Sequence, residues 1–87
     1  MTNTVNDINR VCNEIKDLLM EKNLAYGDSA LDPVRIFSKA ESSEQIRIRI
    51  DDKLSRFAKG REYPGDNDIN DLIGYLILLK IAKERNG

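Results

Sequence analysis

Residues 66–83 read DNDINDLIGYLILLKIAK, and this stretch decides the fold. From 72 to 82 every position is apolar except Gly74, Tyr75 and Lys80. A helix that is apolar nearly all round must be covered on most sides. The run is too short and too interrupted to span a membrane, which takes about 20 apolar residues. It is therefore expected to be the central helix of a small all-α domain, with 72–82 its most buried part. The first turn is different in kind. Asp66, Asp68 and Asp71 put carboxylates where the helix dipole favours negative charge, and Asp66 or Asp68 is the expected N-cap. Gly74 in mid-helix costs about 1 kcal/mol relative to alanine; close approach of another helix would account for it.

The segment before it, 43–59, carries Ile46, Ile50, Leu54 and Phe57 on one helical face. Arg49, Asp52, Lys53 and Arg56 follow at i, i+3, i+4 and i+7 and form a second stripe. At 100° per residue the stripes lie roughly a right angle apart, so the charged one borders the core. The alternation IRIRI at 46–50 fits a strand by period, but the flanking signals favour a helix. Ser42-x-x-Gln45 reads as a capping box at its start, and Lys59-Gly60 as a glycine C-cap at its end. Residues 61–65, REYPG, form the loop into the central helix.

Further out, Val5, Ile8, Cys12, Ile15 and Leu19 recur at spacings of three and four, which predicts an amphipathic helix over 4–22, widened by Val11 and Leu18. Cys12 on that apolar face reads as a buried structural thiol. Glu14, Asp17 and Glu21 share another face, either a solvated surface or a carboxylate row for magnesium. The helix breaks at 23–29, NLAYGDS, where Gly27 and the Asp-Ser pair are turn residues. Tyr26 before Gly27 either packs over the loop or offers a flat ring beside open backbone. Asp32-Pro33 starts a predicted short helix over 33–39, anchored by Ile36 and Phe37 and leaving Arg35 and Lys39 on one exposed side.

The 87 residues make one domain, and a core that small gains from oligomerisation. The net charge of -1, with both signs interspersed, lacks the strongly basic footprint of a nucleic-acid binder. A single cysteine excludes a disulfide framework, and the opening MTNTVNDINR has no apolar signal-peptide segment. A cytoplasmic setting is expected. With no histidine, the Ser-His and Cys-His nucleophile pairs and His-ligated zinc are excluded.

Two constellations carry chemistry. Arg49, Lys53 and Arg56, with Asp52 holding them, suit a phosphate, because guanidinium forks give bidentate bonds; the alternative is a surface salt-bridge ladder. Asp68 and Asp71 at i, i+3 could ligate magnesium, or Asp71 could buttress an arginine from across the helix interface. Tyr26 and Tyr63 are candidate stacking rings for a base.

The run YGDSALDPVRIFSK, then RIDDKLSR, then DNDINDLIGYLILLK resembles small phage and prophage proteins of the nucleotide-modification-associated domain type, over about residues 22–82. DINDLIGYL is more remotely similar to the ExxD helix of MazG-type all-α nucleoside triphosphate pyrophosphohydrolases. The resemblance implies an all-α fold and work on nucleotides. Asp68 and Asp71 fit the ExxD positions, but the EExxE cluster that completes the magnesium site in those enzymes is missing. Asp51 with Asp52, or Glu14 with Asp17, replaces it only in part. Three functions stay open. The first is a non-catalytic viral protein that captures a nucleotide or cyclic-nucleotide-type host defence signal, through Tyr26, Gly27, Arg35, Lys39, the 49–56 stripe and Tyr63. The second is a magnesium-dependent pyrophosphohydrolase, and the third a helical protein-interaction module.

Overall fold

The computed structural model describes residues 3–33, 37–60 and 67–85. It is all-α: α1 is Asn3–Tyr26, α2 is Ser42–Lys59 and α3 is Asp68–Arg85. Among the described residues there is no strand, and IRIRI lies inside α2. No helix there is long and apolar enough to cross a membrane.

α2 and α3 form an antiparallel hairpin. Arg56 near the end of α2 meets Asp68 at the start of α3, while Glu41, Ser43 and Arg47 share a shallow trough with Leu79 and Lys83 at the opposite end. Ile46 and Ala82 are buried in this hairpin. Gly60 closes α2 as the pattern predicts: its φ of 65° is left-handed, and its N–H donates to the carbonyls of Arg56 and Phe57. The start of α2 differs from the expected capping box. Glu41 is the N-cap and makes no side-chain cap bond, Ser42 is buried in the first turn, and the Gln45 amide donates to the Ala40 carbonyl at 3.0 Å. Asp68 does not cap α3. The Asn67 side chain accepts the N–H of Asn70 at 3.0 Å, which leaves Asp68 free to turn inward; Asp66 lies outside the described residues.

α1 packs on α3 and does not approach the backbone of α2. Ile15 is buried there. Gly74 is the place of closest approach: a Cβ on it would stand 2.9 Å from Leu19 Cδ2. The mid-helix glycine thus faces α1 at its crossing, where the neighbouring group is the flexible end of a leucine. α1 runs further than expected and ends in a Schellman turn. Gly27 and Asp28 are left-handed, and the Asp28 N–H donates to the Asn23 carbonyl at 3.2 Å. The Asp28 carbonyl then accepts the N–H groups of Leu31 and Asp32 and holds the turn closed.

Three further expectations are corrected. The short helix over 33–39 is not seen at its described positions: Pro33 and residues 37–39 are non-helical, and 34–36 lie outside the described residues. Phe37, expected to anchor it, is 94% exposed. Cys12 is exposed, as is every described residue of α1 before Ile15. Finally, α3 is covered on only part of its circumference. Gly74 and Ala82 are buried, but Leu76 and Ile77 on the far side are 49% and 39% exposed. Leu54 and Phe57 of α2 are likewise half exposed.

Candidate functional site: an ion-pair network beside an open crevice

The charged stripe of α2 divides in two. Lys53 and Arg56 face α3, and both meet the Asp68 carboxylate at 3.4 Å. Lys53 also reaches Asp71 at 3.0 Å, and Asp71 takes Lys22 of α1 on its other oxygen at 3.2 Å. The Asp68 side chain is 4% exposed and that of Lys53 12%, so the centre of the network lies under the surface, while Arg56 and Lys22 reach it from its exposed rim. It ties all three helices together through two carboxylates. Among the described residues no buried side-chain polar atom lacks a partner.

The titrations follow from this geometry. Burial by itself pushes the Asp71 carboxyl up. Hydrogen bonds from Lys53 and Lys22, with their charges, outweigh it and hold Asp71 below its ordinary value of 3.8. Burial likewise pulls the Lys53 ammonium down, and the neighbouring Arg56 charge adds to this. The hydrogen bond and charge of Asp71, helped by Asp68, raise it above its ordinary 10.5.

Asp71 therefore does buttress a cation across a helix interface, though lysines and not an arginine. Asp52 is not the residue that holds the stripe; it is exposed on the outer side of α2, and Asp68 and Asp71 do the holding. For magnesium, the donor set fits poorly. Both carboxylates already face ammonium or guanidinium groups, and a dication there would have to displace Lys53. Among the described residues no group of three or more Asp, Glu, Cys or His is placed to hold a metal ion.

Beside the network lies a crevice of 660 Å³, within the roughly 300–1,000 Å³ typical of ligand clefts. It exists because α1 rests on α3 alone, so a wedge stays open between α1 and α2 with α3 as its floor. The lining takes one face of each helix, together with Ser29, Ala30 and Pro33 from the turn after α1. α1 contributes Ile15, Leu18, Leu19, Lys22, Asn23 and Tyr26; α2 contributes Gln45, Ile46 and Arg49; α3 contributes Asn70, Asp71, Gly74, Tyr75 and Leu78. The lining mixes aliphatic side chains with two phenol rings, three side-chain amides and the cations Lys22 and Arg49. Such a mixture can stack an aromatic ring, pair with its polar edge and neutralise an anion.

Of the residues expected at the site, the structure brings Tyr26, Arg49 and Asp71 to this crevice. Tyr26 is 70% exposed, so its ring is accessible. Gly27 serves next door as the turn that ends α1. Lys53, Arg56 and Asp68 form the network behind it, and Lys39 is exposed and does not line it. Arg35 and Tyr63 lie outside the described residues. Sequence reasoning missed Lys22, Asn23, Gln45, Asn70 and Tyr75. A signal was present in two cases: Lys22 with Tyr26, and Asp71 with Tyr75, stand four apart on one helical face. The trough shared by Glu41 and Lys83 is shallower and has no aromatic lining, so it offers less to a ligand. Comparison of the chain with protein-family models, with curated proteins and with solved structures gives no match.

Proposed function

We propose that this chain captures a nucleotide or a nucleotide-derived signal and does not cleave it, in keeping with its resemblance to small phage proteins of the nucleotide-modification-associated type. The observation that carries this reading is the crevice, where Tyr26 and Tyr75 stand with Lys22 and Arg49 across a cleft of ligand size. Rings suit a base, and the two cations suit a phosphate. The absence of turnover rests on Asp68 and Asp71: their oxygens are engaged by Lys53, Arg56 and Lys22 and serve structure. Assembly belongs to the same proposal. Leu54, Phe57, Leu76 and Ile77 are exposed on the hairpin, and Ile8 and Val11 on α1. A second copy of the chain is the expected cover for them.

Calorimetry with a panel of nucleotides, with and without magnesium, tests the reading when followed by chromatography of the recovered ligand. Heat with intact ligand supports capture. A cleaved ligand moves the assignment to a pyrophosphohydrolase. No heat from any nucleotide leaves a helical interaction module. Light scattering at high micromolar concentration should give at least a dimer; a stable monomer would count against assembly.

A further inference from the structure

The crevice walls come from two helices that do not pack on each other, and its ligand-competent groups are divided between them. Tyr26, Lys22 and Asn23 belong to α1, while Arg49 and Gln45 belong to α2. α1 is held to the hairpin by a short list of contacts: Ile15 in the core, Leu19 over Gly74, and Lys22 on Asp71. Lys22 is 48% exposed at its side chain, so that ion pair is a modest tie. Residues before Ile15 add little, since Ile8, Val11 and Cys12 are exposed. α1 is thus fastened to the hairpin through α3 alone, and the wedge between its second half and α2 is the binding crevice.

We infer that the ligand supplies the missing contact between α1 and α2: its ring lies on the α1 wall at Tyr26, its anionic group meets Arg49 on the α2 wall, and binding clasps α1 to the hairpin. This rests on the capture reading and adds a division of the ligand to it. A ligand with only a ring engages one wall, and a ligand with only an anion engages the other. Joining the two makes the second contact intramolecular, which typically gains 10²–10⁴ in affinity. A ligand that binds only the closed arrangement also shifts the population toward it.

The probes are the 5′-monophosphates of adenosine, guanosine, cytidine and uridine, the four nucleosides, and inorganic phosphate, each titrated into the full chain. At least one monophosphate is expected to bind roughly 100-fold or more tightly than its nucleoside and than phosphate. Tyr26→Ala should leave phosphate binding as in the parent and remove most of the nucleotide's advantage. Hydrogen exchange reads the clasp itself. In the free protein, amides of 15–26 should exchange faster than those of the buried part of α3. Monophosphate at 100 times its Kd should slow them by roughly 100-fold. A monophosphate that binds but leaves exchange at 15–26 unchanged overturns the clasp and leaves capture standing. So does a free protein in which 15–26 exchanges as slowly as α3. A nucleotide no tighter than its nucleoside or phosphate overturns the division of the ligand. If no monophosphate binds and the wider nucleotide panel gives no heat, capture falls as well.

Discussion

Lys53 and Arg56 meet the buried Asp68 carboxylate between α2 and α3, whereas Arg49, one turn before Lys53 on the same helix, is exposed and lines the crevice. All three lie on one sequence stripe, and by period alone they are equivalent. What separates them is the partner across the interface. α3 has Asp68 and Asp71 in its first turn, and its other acid, Glu84, lies at the far end paired with Lys80, so only the end of α2 packed against the first turn finds counter-charges. Arg49 lies opposite Asn70, Tyr75 and the open wedge instead. The comparison teaches that a basic stripe beside a core can be half scaffold and half site, and that the division is set by where the neighbouring helix begins.

The strongest way to break this comparison is Asp68→Ala. It removes the buried carboxylate that Lys53 and Arg56 share, and the cost should be about 3 kcal/mol, the lower end for a buried pair, because Lys53 keeps Asp71. Chemical denaturation should show that loss; a change within about 0.5 kcal/mol would mean the network contributes nothing to stability.

Asp71→Asn comes next, at about 1.5–3 kcal/mol for the weakened charged hydrogen bonds. It should also change the pH profile. The folded-state value of Asp71 is depressed, so its contribution is present above 3.8 and is lost as pH falls below that value toward the folded-state one. Lys53 is raised, so its contribution is present below 10.5 and is lost as pH rises above it. The parent should therefore lose stability on both flanks. In Asp71→Asn the acid limb should flatten, and an acid limb identical to the parent's would contradict the assignment.

Arg49→Ala and Arg56→Ala sharpen the comparison by splitting the two readouts. Arg49→Ala should change stability by no more than about 0.5 kcal/mol and weaken nucleotide binding at least tenfold, since a charge-assisted contact is worth about 1.5–3 kcal/mol. Arg56→Ala should show its effect in denaturation. If the two variants lose nucleotide equally while stability stays at the parent level, the division of the stripe is wrong. Arg10→Ala, at an exposed pair with Asp7 and Glu14, is the control and should do neither.

The smallest expected effect is at Gly74. A methyl there meets only the flexible end of Leu19, and the gain in helix propensity is about 1 kcal/mol. Gly74→Ala should therefore be close to neutral in thermal denaturation. A Tm drop of many degrees would show that α1 cannot shift to accommodate it.

Much of the scaffold was legible before the fold was known. α1 and α2 follow from periodicity, α3 from a run that is apolar nearly all round, the end of α2 from Lys59-Gly60, and the crossing of α1 over α3 from an otherwise unfavourable Gly74. The site was legible only in part. Tyr26 and Arg49 stood out as a ring and a cation, but nothing joined them, because the crevice between α1 and α2 depends on the angle at which α1 leaves α3. Lys22, Asn70 and Tyr75 were passed over because each is ordinary on its own helix. The caps of α2 and α3 were each misplaced by one residue. At α3 the slip mattered, because capping by Asn67 turns Asp68 from a cap into the centre of the ion network.

Sequence by itself determined what is local: which segments coil, where a left-handed residue must end a helix, and which face of each helix is apolar. Those depend on backbone sterics and on a 3.6-residue period that acts over a few neighbouring positions. Only the tertiary structure decided which charge meets which. Lys53 and Asp68 are 15 positions apart, and Lys22 and Asp71 are 49 apart. Their pairing depends on the rotation and offset of helices about their own axes, which the packing of Ile15, Leu19, Ile46 and Gly74 settles. The same packing leaves α1 and α2 apart, and that gap is what turns a small helical scaffold into a candidate binding site.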